Sequence, residues 1–205
     1  MSAAAGADTR RGRLRLLLVI AIFVTPVVLA CALYFGGWRP ETPRAHGELV
    51  TPARPVADAE LRTLDGKAVA FSAFQRQWLL LYFGSSECAA ACERALVNMR
   101  QVIAAQGRQA QRVRAAMVVT DTRALSSLRQ LLSAHPDLTP LTAAPEQLAR
   151  LAREFELPAG GALAGQHRIY VIDPLGNFML SYPADVDPNG MRKDLQRLLR
   201  YSQIG

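Results

Sequence analysis

An uninterrupted apolar run from Leu16 to Trp38, 23 positions without a charge, constrains this chain more than any other feature. At 1.5 Å per residue, about 20 residues cross a hydrocarbon core of about 30 Å, so the run predicts one membrane-spanning helix over 16–38. Arg10, Arg11, Arg13 and Arg15 precede it, against the sparser Arg39 and Arg44 after it. That asymmetry puts the N-terminal segment 1–15 on the cytoplasmic or matrix side and exports everything after Trp38. Tyr34, Phe35 and Trp38 close the run with aromatics suited to the membrane interface.

A cleaved signal peptide would carry an apolar region of about 7–15 residues ending at a small-x-small site. This run is longer. Cys31 after Val28-Leu29-Ala30 echoes a bacterial lipoprotein cleavage site, but the apolar stretch continues past it, and Cys31 reads as a small apolar filler. Pro26 within the span is tolerated in membrane helices and bends this one at most.

The rest of the 205 residues leaves room for one domain, since domains cluster near 100–150 residues. Residues 39–56 carry Pro40, Pro43, Pro52 and Pro55, the composition of an extended tether that reaches about 55 Å at about 3.1 Å per residue. The formal charge of +7 owes much to the N-terminal arginines. The remaining basic residues are scattered, with no aromatic-interleaved Lys/Arg tract, which argues against nucleic acid as a partner.

The predicted domain, 57–205, alternates short strand-like with longer helix-like segments. Ala59–Phe71 reads as a hairpin turning at Asp65-Gly66, and Trp78–Phe83 as a central strand buried on both faces. A helix from Cys88 to Ala105 follows, with Ser85 or Ser86 as its N-cap. Val113–Thr120 and His167–Asp173 are further strands, with helical patterns at Thr122–Ala134 and Pro145–Phe155 between them. Pro174–Asn177 turns the chain into a strand at Phe178–Tyr182, and an amphipathic helix from Pro188 presents Met191, Leu195, Leu198 and Leu199 on one face. Together these describe an α/β fold with a mixed sheet flanked by helices.

Chemistry centres on Cys88 and Cys92, two thiols four residues apart at a strand-to-helix junction. A helix N-terminus favours the thiolate, while Glu87 and Glu93 oppose it. Residues four apart in a regular helix hold their Cβ atoms about 5–6 Å apart, whereas a relaxed disulfide needs about 3.5–4.5 Å. A disulfide therefore requires Cys88 outside the regular turns, and the spacing tilts toward two thiolates converging on a soft metal ion. An inert disulfide of an exported domain is the plain alternative, although so short a loop constrains little of the unfolded chain. Of the three histidines, His46 lies in the tether and His135 at a helix-to-loop junction, and both read as surface residues. His167 opens a strand whose start faces the cysteine loop, which makes it the candidate third ligand.

YFGSSECAAACERAL and IYVIDPLGNF resemble the FGYTxCPxxCPxxL stretch and the YLxDPxGxF strand and turn of the Sco/SenC/PrrC proteins, membrane-tethered thioredoxin-like copper chaperones of cytochrome c oxidase. The resemblance covers residues 57–200 and implies a thioredoxin-like fold. It also implies copper as cofactor, held as Cu(I) with Cu(II) as a second state by Cys88, Cys92 and His167, and an oxidase subunit or another copper chaperone as partner. Ala89 and Glu93 stand where the family has prolines, and His167 lies three rather than five residues before the strand tyrosine. The changed offset keeps the parity of an extended strand, with a displacement of about 6–7 Å along it. In related anchored reductases the position of His167 is commonly a cis-proline. The expectation is a divergent, anchored copper-binding assembly factor in a bacterial inner membrane with its domain in the periplasm, a mitochondrial inner membrane being the second setting. The alternatives are a thiol-disulfide reductase with Cys88 as the more exposed, attacking thiol, and a degenerate docking domain.

Overall fold

The computed structural model describes residues 4–36, 45–156 and 163–202. The chain divides between Arg44 and Ala45 into two units. Among its described residues the first holds one helix, α1 (Ala4–Phe35), with Pro26 inside it. Arg15–Phe35, 21 residues, is long and apolar enough to cross a membrane, about 32 Å at the helical rise.

The second unit is built on one eight-stranded sheet. Its strands are β1 (Glu48–Pro55), β2 (Glu60–Thr63), β3 (Ala68–Ala70), β4 (Trp78–Gly84), β5 (Val113–Val119), β6 (Leu138–Thr142), β7 (Arg168–Ile172) and β8 (Asn177–Pro183). Their order is β1-β8-β7-β4-β5-β6-β2-β3. β4, β5 and β6 are parallel, while β7 runs antiparallel to β4 with Tyr82 opposite Ile169. The helices are α2 (Ala90–Ala104), α3 (Leu125–Leu132), α4 (Pro145–Glu154), a single turn α5 (Leu163–Gln166) and α6 (Pro188–Tyr201).

β4 is buried at every position because helices cover both faces of the sheet. Trp78, Leu80 and Tyr82 pack with Leu96 and Met99 of α2, Leu128 of α3, and Met191 and Leu195 of α6. Leu79, Leu81 and Phe83 face the other way, toward Leu151 of α4 and Phe155. There Phe83, Phe155, Tyr170 and Phe178 stack with neighbouring ring centroids 5.1–5.7 Å apart, within the range where aromatic pairs add to simple burial.

The structure departs from the sequence reading in several of its elements. Part of the expected tether 39–56 is strand β1, paired with β8 from Glu48↔Ser181 to Pro55↔Asn177. Its prolines are tolerated because β1 is an edge strand with one row of backbone groups unpaired. Residues 39–44 of that expectation, and 37–38 of the predicted span, lie outside the described residues. β6, unforeseen because Pro140 interrupts it, pairs with β2 only through Leu141 and Thr142. The helix expected from Cys88 begins at Ala90 instead, and its N-cap, Ala89, supplies no side-chain bond. Neither Ser85 nor Ser86 caps it.

Candidate functional site

β4 delivers the chain to the site at Gly84. A Cβ there would stand 2.7 Å from the Tyr82 ring and 2.8 Å from the Met117 methyl, so only glycine lets the strand end this close to both side chains. The backbone then loops through Ser85–Ala89 before α2 begins. Cys88 takes a φ of +39°, a left-handed conformation that costs a non-glycine residue about 1–2 kcal/mol. Held that way, outside the helix, Cys88 forms a disulfide with Cys92 in the first turn of α2, with the two Cα atoms 5.1 Å apart. The bridge exists because Cys88 has left the regular turns. Both cysteines are buried, Cys88 at 3% and Cys92 at 2% exposure, so exposure in the disulfide form scarcely separates the two sulfurs that the reductase alternative ranks.

The loop is fastened to the segment after β5. The Ser86 hydroxyl, fully buried, donates to Asp121 Oδ1 and accepts the Ala124 N–H at 2.9 Å. The bond from Ser86 holds the Asp121 carboxyl well below its ordinary range, with Ser85 and Arg123 adding to the effect against the opposing cost of burial. Arg123 donates its backbone N–H to Asp121 Oδ1 at 3.2 Å and sets its guanidinium 3.9 Å from Glu87. Thr120 N–H reaches the Gly84 carbonyl at 2.9 Å. Of these three the sequence had marked only Ser86, and that as a helix cap; Asp121 and Arg123 did not stand out. The available signal was an acidic residue just past the strand that parallels β4.

His167 lies one residue ahead of β7, with a φ of +44°. The extended geometry assumed for it from strand parity is therefore absent, and the left-handed backbone sets the ring's direction instead. Its Nδ1 stands 3.0 Å from the Tyr82 hydroxyl. Tyr82 is completely buried, and burial pushes its phenol up to about 12, so the hydroxyl keeps its proton at neutral pH. Among the described residues only Arg76, Cys88 and His167 are non-glycine residues with positive φ, and backbone outliers gather where function needs them. The two cysteines are bonded together and His167 is at the same end of β4. Yet no three His, Cys, Asp or Glu side chains among the described residues are grouped closely enough to hold a metal ion.

The other candidates lie elsewhere. His46, expected at the surface of the tether, docks on buried Asp194 of α6, its Nδ1 3.1 Å from the carboxylate. His135 helps line a cleft of about 570 Å³ between the end of α2 and the starts of β5 and β6. Cys31 is free and exposed on α1.

The model of the transmembrane-like, thioredoxin-like C-terminal domain matches residues 78–202, and that of the transmembrane-like N-terminal domain matches residues 7–37. Comparison with curated protein sequences gives no match. Among solved structures, Bradyrhizobium japonicum ScoI with copper bound is similar at 24% identity and a TM-score of 0.56, covering 70% of this chain and 98% of that one. Apo Sco1 from Thermus thermophilus is similar at 23% identity and 0.60, covering 78% and 99%. The thioredoxin domain of a thiol-disulfide oxidoreductase from Bacteroides vulgatus is similar at 12% identity and 0.56, covering 73% and 99%. These likenesses show the thioredoxin-like fold.

Proposed function

The chain belongs to the transmembrane-like, thioredoxin-like family, and from that premise we propose that it is a divergent relative of the Sco proteins, a membrane-anchored copper-binding assembly factor of cytochrome c oxidase. Its setting on this reading is a bacterial inner membrane, with α1 as anchor and the domain in the periplasm. An oxidase subunit or another copper chaperone is the partner.

One observation carries the reading. Cys88, in the loop before α2, and His167, just ahead of β7, lie at one end of β4 and are both held in left-handed backbone conformations, and the Tyr82 hydroxyl is bonded to the histidine. The oxidised pair offers no thiolate, so taking up Cu(I) first requires the disulfide to accept two electrons and two protons. The resulting thiols then lose their protons as they bind the ion. Soft thiolates select Cu(I). His167 would supply Nε2 as third donor, because a ring bound through that atom carries its proton on Nδ1, where the Tyr82 oxygen accepts it.

Anaerobic copper titration of the full-length protein in detergent, in dithiol and disulfide forms, tests this. The dithiol form should take up one Cu(I) per chain and the disulfide form none. Equal uptake by both forms, or none by either, removes the copper reading. A second reading, thiol-disulfide reductase, is favoured by the bridge itself. It replaces the first if the dithiol form binds no copper but reduces a disulfide substrate in a Cys88-dependent way.

A further inference from the structure

Ser86 is one of three buried polar or charged residues among those described, with Ser181 and Asp194. A buried hydroxyl is costly unless bonded, and both bonds of this one go to a single segment, through Asp121 and the Ala124 N–H. Ser86 lies two residues before Cys88, the loop residue whose backbone is strained. Glu87, between them, is drawn to the same segment by Arg123. Asp121 is the hub: it takes the Ser86 hydroxyl and the Arg123 N–H on one oxygen and the Arg123 guanidinium, 3.4 Å away, on the other. The connection is therefore a clamp across 35 residues of sequence that holds the cysteine loop against the end of β5.

We propose that Asp121 is a positioning residue for the cysteine pair: acting through Ser86, it keeps Cys88 where its sulfur meets that of Cys92 and thereby sets the reduction potential of the disulfide. Releasing the clamp lets Cys88 relax toward an ordinary backbone conformation, lowers the effective concentration of one sulfur at the other, and favours the dithiol. The inference rests on the reading that the pair cycles between disulfide and dithiol, and it needs no metal.

The test is equilibration of the metal-free full-length protein with glutathione buffers. Two glutathione thiols give up their protons and two electrons to the protein bridge, the protein S–S bond breaks as the glutathione S–S bond forms, and the dithiol fraction is read by thiol trapping. Asp121→Ala and Ser86→Ala should each shift the equilibrium constant toward the dithiol by at least about tenfold, about 30 mV for two electrons. The double variant should shift it no further than either alone, because both changes open one clamp. Asp121→Asn keeps an oxygen that accepts from Ser86 and should stay within about threefold of the parent. If Ser86→Ala does not fold, the two Asp121 variants decide the matter, since that side chain is partly exposed. Asp121→Ala within about twofold of the parent, or Asp121→Asn as large as Asp121→Ala, overturns the positioning role while leaving the redox reading intact. A bridge that no thiol buffer opens in the folded protein overturns both.

Discussion

His46 and His167 each hand Nδ1 to a group buried in the domain, yet the two surroundings differ in the charge they contain. At His46 the partner is Asp194, 3% exposed. The acid also accepts the His46 backbone N–H at 2.6 Å and the Tyr182 hydroxyl at 3.0 Å. Gly190 completes the fit, since a Cβ there would stand 2.9 Å from the imidazole. At His167 the partner is a neutral phenol, Tyr82, through a single bond. The first arrangement encloses a carboxylate with three donors and ties the start of the domain to α6. The second orients a ring without placing an acid against it. A histidine serving structure is thus distinguished from one proposed to bind a cation by what its partner must satisfy, not by its own exposure.

The largest expected effect tests the structural side of that contrast. Asp194→Ala strands the Tyr182 hydroxyl and the His46 backbone N–H and should cost about 3 kcal/mol, since breaking a buried charged network leaves its partners unpaired. Denaturant titration in detergent reads the loss, and the folded fraction should bind copper as the parent does. Weakened copper binding in that fraction would dissolve the distinction between the two regions.

His167→Ala should do the reverse. Copper affinity should fall by about a hundredfold, in line with loss of a metal ligand, while stability falls by only about 1 kcal/mol, the low end of the cost of leaving the buried Tyr82 hydroxyl without its partner, because no charge is stranded. Competition with a Cu(I) chelator beside the same denaturant titration separates the two readouts. Copper affinity that survives the change removes His167 from the ligand set.

Tyr82→Phe sharpens the comparison further, because it keeps the buried ring and deletes only the hydroxyl that faces His167. Copper affinity should drop by about tenfold, the usual effect of removing a partner that orients a ligand. An unchanged affinity would mean that the phenol does not orient the histidine.

The smallest effect belongs to the third histidine, which lies outside both regions. Burial first, and then the charge of Arg100, lower the His135 pKa from its ordinary 6.5, with Glu93 opposing. The unfolded chain then binds the proton more readily than the folded one. The stabilising contribution of the neutral ring is therefore present above 6.5 and is lost as pH falls below 6.5 through the lowered folded value. His135→Gln should flatten the drop in denaturation midpoint between about pH 7 and pH 5. A drop as steep as the parent's would assign the acid sensitivity to other groups.

What could be read from the sequence was local. The 23-residue apolar run needs only length and composition to predict α1, and the apolar stretch of β4 needs only its neighbours in the chain. The two cysteines, four apart at a strand-to-helix junction, carry their own geometric constraint, and the requirement that a bridged Cys88 stand outside the helix followed from the spacing. The amphipathic pattern of α6 likewise announced the face that packs. Each depends on residues within one element, where periodicity and covalent geometry leave few choices.

Tertiary structure decided the partners. His46 meets Asp194 across 148 residues, Tyr82 meets His167 across 85, and Ser86 meets Asp121 across 35. No local pattern marks such pairs, because which buried polar groups satisfy one another depends on how the sheet is ordered. That order also made a strand of a segment whose prolines read as a tether, since an edge position tolerates their missing N–H. It set His167 in a left-handed turn that strand parity could not anticipate. The sequence by itself determined the apolar helix, the central strand and the spacing constraint on the thiols; the packing of distant elements determined which side chains hold them in place, because burying a polar group commits the fold to supplying its partner.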